Sequence, residues 1–338
     1  MAKVVHGSCL DPVTGIGGTF DLQRTLQYSK QYLKTHRTAQ AIPCLENAHA
    51  MDSTADAIGF TVAYDLGLAY LQAGETQAAS ILIENQLKIQ DKAELHDLLG
   101  MVETRQQHFR AASTQYQIAT RLDPSEQNIF DFGTSLSQFQ GSSAEKVFRY
   151  GIAKYPASVR LHVGLGSVLY AQGQSTEAAE EMCSAARLDP ADPHPMEMIG
   201  GTEQIPPSLT PEITARFAAL VRLYPQNARL LYYYAMALSG MWSGESSANP
   251  HAVALLQRVL VLDPHLAKAY FSLAQIEEQK KEYAATVENY RKAAELNPTN
   301  GQYLYRLAFA YKEAGNVPMF QKEMQKFRIV HDQTKTSE

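Results

Sequence analysis

Six prolines recur at an interval that few folds can accommodate. Leu122-Asp-Pro124, Lys154-Tyr-Pro156, Leu188-Asp-Pro190, Leu223-Tyr-Pro225, Leu262-Asp-Pro264 and Leu296-Asn-Pro298 are separated by 32, 34, 35, 39 and 34 residues. A period of that size marks a stacked supersecondary unit, and it changes what chain length means. By length alone, 338 residues would divide into two or three domains, yet the 20 glycines and 15 prolines mark no linker. An array of units needs no linker.

Counting back from each proline shows that the rest of the block repeats too. Eight residues before it stand Tyr116, Phe148, Met182, Phe217, Leu256 and Tyr290, all large. Five before it stand Ala119, Gly151, Ala185, Leu220, Val259 and Ala293, and twelve before it Ala112, Ala144, Ala178, Ile213, Ala252 and Thr286. Offsets of three and four residues place these side chains on one helical face, with small residues where two backbones approach. The proline then stops the helix, because it lacks the N–H that another turn would need. Further back, Leu99-Gly100, Leu165-Gly166 and Leu273-Ala274 mark a first helix, and Gly74 and Gly173 sit where it must turn into the second.

At these positions the sequence resembles the tetratricopeptide repeat family, a 34-residue helix–turn–helix unit. Residues 159–192 carry Leu165, Gly166, Ala178, Met182, Ala185 and Pro190 in family order, and 267–300 carry Tyr270, Leu273, Ala274, Tyr290, Ala293 and Pro298, departing at Thr286. Other blocks are weaker. Asp91 replaces a proline, Gly133 comes one position late, Pro206-Pro207 with Pro211 interrupts the block from 194, and 228–266 carries an insertion that includes Trp242.

The resemblance implies an all-α fold, a right-handed α-solenoid of about nine units beginning near residues 22, 60, 93, 125, 159, 194, 228, 267 and 301. On this reading residues 1–21 are a flexible tail, 22–330 the solenoid and 331–338 a second tail. It also implies a non-catalytic scaffold whose concave wall, lined by the first helices, binds an extended or helical segment of a protein partner. The alternative is an accessory or substrate-recognition subunit of an enzyme or of a secretion or assembly complex.

Along that wall the fifth position of successive units reads Tyr64, Asp97, Phe130, Val163, Met198, Tyr232, Phe271 and Tyr305, with Tyr233 adjoining. Two readings compete, a ladder for a partner and packing of each ring within its own unit. Arg160, Arg229, Lys268 and Arg306 are the cations placed to meet a partner's carboxylates. The family's clamp for acidic C-termini, built on Lys and Asn, is missing, since Tyr64, Leu68, Asp97 and Met101 occupy its positions. Trp242, the only tryptophan, is a loop candidate for partner contact or for covering the core.

Other functions find little support in the residues. The 30 basic and 35 acidic side chains give a net charge of −5, no electrostatic footprint for nucleic acid. No run of apolar residues is long enough to span a bilayer. The ten histidines are never closer than 12 residues apart, which excludes helical metal pairs, and no metal or other cofactor is expected. Thr14-Gly-Ile-Gly-Gly lacks the Lys-Ser/Thr of a phosphate loop, and Glu180-Glu181 and Glu277-Glu278 read as solvated pairs. Cys9, Cys44 and Cys183, an odd and scattered set, read as thiols rather than a disulfide framework, which suggests a reducing, cytoplasmic setting. The final helix, from Met319 to Val330, alternates Lys and Glu as a solvent cap would, and a monomer is expected.

Overall fold

The computed structural model describes residues 8–17, 20–51, 56–202, 205–241 and 249–335, and among them finds eighteen α-helices. They fall into two compact units, Met1–Pro156 and Ala157–Glu338. The first unit contains α1 (Leu22–Lys34), α2 (Thr38–Met51), α3 (Ala57–Ala73), α4 (Thr76–Leu87), α5 (Ala93–Arg105), α6 (Phe109–Leu122), α7 (Glu126–Ser137) and α8 (Gly141–Lys154). The second contains α9 (Val159–Ala171), α10 (Ser175–Leu188), α11 (His194–Gly200), α12 (Thr210–Leu223), α13 (Ala228–Leu238), α14 (Pro250–Leu262), α15 (Ala267–Gln279), α16 (Tyr283–Leu296), α17 (Gly301–Glu313) and α18 (Val317–Lys335). Each unit is an all-α stack of helical hairpins, the solenoid that the period predicts.

The six spaced prolines do what their chemistry requires. Each lies two residues beyond a second helix, after Leu122, Lys154, Leu188, Leu223, Leu262 or Leu296. The residue before a proline is pushed out of the helical region. Asp123, Tyr155, Asp189, Tyr224, Asp263 and Asn297 accordingly take φ between −121° and −139° with positive ψ, while each N–H still bonds to the carbonyl four residues earlier. Most turns inside the hairpins pass through a left-handed residue. Gly74, Gly173 and Gly315 supply it at φ +83°, +78° and +76°, whereas His36, Gln107 and Lys281 adopt it without the glycine.

Large side chains sit where the small ones leave room. A Cβ added to Gly100 would lie 2.8 Å from the Tyr116 ring, one on Gly133 2.8 Å from Phe148, and one on Gly166 2.7 Å from the end of Met182. The small residues of the second helices, Ala112, Ala144, Ala178 and Ala252, are buried, and so is Thr286, whose hydroxyl donates to the Glu282 carbonyl of its own helix. Successive hairpins are also joined by single side-chain bonds onto backbone carbonyls about one repeat earlier. Lys154 and Tyr155 donate to Pro124, Arg216 to Ala186, Tyr224 to Ala191 and Arg258 to Pro225.

Three expectations are corrected. Cys9 and Cys44 are joined in a disulfide across 35 residues, and only Cys183 remains a buried thiol. The segment before α1 is therefore no free tail where it is described. Leu10 bridges to Gly17, Cys9 is fully buried, Tyr28 donates to Asp11 at 2.6 Å, Tyr32 donates to the Leu10 carbonyl, and Phe20 meets Tyr28 edge-on. Asp11 also accepts from the N–H groups of Val13 and Thr14, and the three bonds together hold its carboxyl at about 2. The last helix, finally, continues past residue 330 to Lys335.

The block that departs most from the pattern is the one begun by α11. This helix has seven residues where α9 has thirteen, and the chain beyond it runs through Pro206 and Pro207 before α12 starts. Asn249 caps α14 and donates to the Leu238 carbonyl. Trp242 lies outside the described residues.

Candidate partner-binding face

In the first unit the inner-face positions gather aromatic rings and carboxyls on α3, α5 and α7. Tyr64 is half-buried and stacks on Phe60 with ring centroids 6.2 Å apart, and the Lys92 ammonium lies 3.6 Å above Phe60. Phe130 tilts onto Phe148 at 6.2 Å, which makes it partly a packing residue. Asp65, Asp97 and Asp131 follow one another on the three helices. Burial pushes the Asp65 carboxyl up, against the pull of Lys30.

Asp97 is moved furthest, to about 7, first by burial and then by the Asp131 carboxyl that bonds to it. Tyr64 and Tyr116, the other titrating groups beside it, are pushed up by burial and by these aspartates. A carboxyl raised in this way from its ordinary 3.8 holds an extra proton only in the folded chain. Its stabilising effect is complete below the ordinary value and is lost as pH rises through about 7. Asp97→Asn is therefore expected to flatten the fall in stability between about pH 4 and 7, and to stabilise the unit at the upper end by about 1–2 kcal/mol after allowance for solvent screening. Urea titrations across that range check it; a slope unchanged by the substitution would refute it.

The second unit carries the cations. Arg160 lies near the start of α9, and Arg229, two-thirds exposed, reaches Glu197 at 3.3 Å. Lys268 is exposed on α15, and Arg306 lies 3.6 Å from Glu278. The aromatic positions of this unit are used largely inside the protein. Phe271 is buried, 8% exposed, between Tyr290 at 5.3 Å and Tyr303 at 4.7 Å, beyond reach of a partner. Tyr233 faces α11 with its ring against Gly200 and 6.0 Å from Phe217. Tyr232 spans from α13 to Ser272 on α15, and burial pushes its hydroxyl up to about 12. Tyr305 alone among these four is exposed, 40%, on a floor of Phe309 and Phe327. The stripe is thus no continuous ladder, because neighbouring hairpins supply rings that enclose it.

Several expected surface groups have partners. Glu181 bonds to His162 at 2.6 Å, Asn289 donates to Glu277, and Tyr290 donates to Glu278, so these pairs are not simply solvated. His96 lies between Gln115 and Asp91, and His108 meets Glu103. Among the described residues no group of three or more His, Cys, Asp or Glu side chains is arranged to hold a metal ion, and no helix is long and apolar enough to cross a membrane.

The feature that sequence reasoning missed is a cavity of about 240 Å³ beside the short α11, walled by Gly166 and Tyr170 of α9, Ala178 and Met182 of α10, and Met198 and Thr202. Its only signal is the proline interruption, which shortens the helix that would otherwise fill the space.

Residues 138–193 and 267–300 match two family models, both described as tetratricopeptide repeat. Superkiller complex protein 3 of Mus musculus is 24% identical over 253 residues, covering 72% of the chain but 16% of that protein, so the chain spans about a sixth of its length. Among solved structures, YrrB, described as a TPR protein with an unusual peptide-binding site, aligns with a TM-score of 0.42 at 18% identity, over 53% of the chain and 91% of its own. A tetratricopeptide repeat protein from Parabacteroides merdae aligns with a TM-score of 0.38 at 15% identity, over 86% and 98%. MamA from Desulfovibrio magneticus RS-1 gives 0.40 at 18%, over 53% and 96%. The hairpins, the prolines that close them and the two matched stretches show that this chain carries tetratricopeptide repeats.

Proposed function

We propose that the protein is an interaction scaffold that holds an extended or helical segment of a protein partner along the face of its first helices. The observation that carries this reading is the set of cations Arg160, Arg229, Lys268 and Arg306 on first helices of the second unit, with Lys268 exposed and Arg229 two-thirds so. Charges in that setting contribute little to folding and remain usable for recognition. The partner is a protein, not nucleic acid, because the net charge of −5 gives no attraction for phosphate backbones.

Charge reversal tests it. Arg229→Glu with Lys268→Glu is expected to lower recovery of partners captured from the protein's own cells by tenfold or more, while thermal stability and solubility stay near wild type. Undiminished capture would remove the face from consideration. The second reading, an accessory subunit of a larger assembly, is favoured by likeness to a protein named for a complex. Co-purification of a catalytic partner would support it. As for compartment, the Cys9–Cys44 bond supports an oxidising one rather than the cytoplasm.

A further inference from the structure

The cavity beside α11 has the size and chemistry of a socket for one side chain. Its 240 Å³ lies below the roughly 300–1,000 Å³ usual for sites that enclose a small organic ligand. Gly166 and Ala178 keep its walls low, and Met182 and Met198, soft and unbranched, form surfaces that adapt to an apolar guest. Thr202 has its hydroxyl proton committed to the Ile199 carbonyl at 2.7 Å. Tyr170, 46% exposed, stands at the rim, so the socket is open to solvent.

Charge says what surrounds the guest. Glu197 lines the cavity and is held by Asn227 and by Arg229 of α13, and Lys268 follows on the next first helix, α15. Arg229 and Arg306 meet Glu197 and Glu278 while keeping much of their side chains in solvent, and Lys268 stands exposed between them in the series. A basic or neutral segment would gain nothing there; an acidic one would.

Resting on the scaffold reading above, we infer that this cavity receives a large apolar side chain of an acidic partner segment, whose flanking carboxylates meet Arg229 and Lys268. Neighbouring helices pack about 8–10 Å apart, and an extended chain advances about 3.3 Å per residue. Carboxylates at intervals of three residues therefore match the cations.

A labelled peptide tests the inference in either chain direction if it carries a central leucine with glutamates three and six residues to each side and glycine and serine between. Fluorescence anisotropy with the full chain is expected to show saturable binding. Replacing the leucine by alanine should weaken it about ten- to a hundredfold, the value of one large aliphatic side chain withdrawn from water. Replacing the glutamates by lysines should abolish it. In the protein, Gly201→Leu should weaken binding about tenfold by filling the cavity, since an added Cβ there meets nothing closer than 3.4 Å and the helix content should be unchanged. Equal binding of the alanine peptide would overturn the socket while leaving the charged face standing, and equal binding of the lysine peptide would overturn the acidic preference. Failure of all three peptides to bind would overturn the inference even where Arg229→Glu with Lys268→Glu still lowers partner capture.

Discussion

Removing the Cys9–Cys44 bond, by reduction or by Cys9→Ala with Cys44→Ala, is expected to weaken the first hairpin by about 3–4 kcal/mol, from the chain entropy released when a 35-residue loop is opened. The loss should be local. In a stack, each hairpin is stabilised chiefly by its neighbours, so a damaged end frays before the array unfolds. Hydrogen exchange should accelerate in α1 and α2 while α15 and α16 keep their protection. Unchanged exchange in α1 and α2 would show that the hydrogen bonds of Tyr28 and Tyr32 hold the strap before α1 unaided. The native protein should offer one thiol under denaturing, non-reducing conditions, and three after reduction.

The second large effect belongs to Gly200. A Cβ at this position would lie 2.3 Å from the Tyr233 ring, and the ring is not free to yield, being pinned between Phe217 and Tyr232. Gly200→Ala should therefore cost about 2–3 kcal/mol through overpacking, even though alanine is the better helix former. Gly201→Ala is the internal control. At φ −78° and with 3.4 Å of clearance, it should change stability by less than about 0.5 kcal/mol. Tyr233→Ala alone should be costly as well, by leaving a cavity. The double substitution Gly200→Ala with Tyr233→Ala should cost at least about 1 kcal/mol less than the two single losses added together, because each change answers the other. Additive losses in urea denaturation would mean that the two residues do not share the contact.

The same pair shows where sequence reading stops. Proline spacing located the second helices, and the pairing of Gly100 with Tyr116 and Gly133 with Phe148 follows from positions that recur within one unit. Gly200 instead meets a ring from α13, in the following unit, because α11 is too short for the regular arrangement. Phe271 was expected in the groove for a similar reason. The rings that bury it, Tyr290 and Tyr303, belong to other helices, and a position in a repeat does not state how far its neighbours lean. The disulfide was hidden as well, since two cysteines 35 residues apart carry no spacing signal and their meeting depends on the strap folding back over α1. Asp97 was visible as a residue but not as a shared proton, which requires Asp131 to arrive from α7.

The side-chain bonds onto the carbonyls of Pro124, Ala186, Ala191 and Pro225 bear on how the stack behaves under load. A helix resists bending through a ladder of backbone bonds along its whole length, whereas each of these joints adds one or two side-chain donors to the apolar packing between hairpins. Within either unit, a single Lys, Arg or Tyr contact at a joint can open and re-form against water while the apolar packing beneath it stays in place. These contacts then act as reversible fasteners over a packed seam, and replacing them would loosen the seam while leaving every hairpin intact.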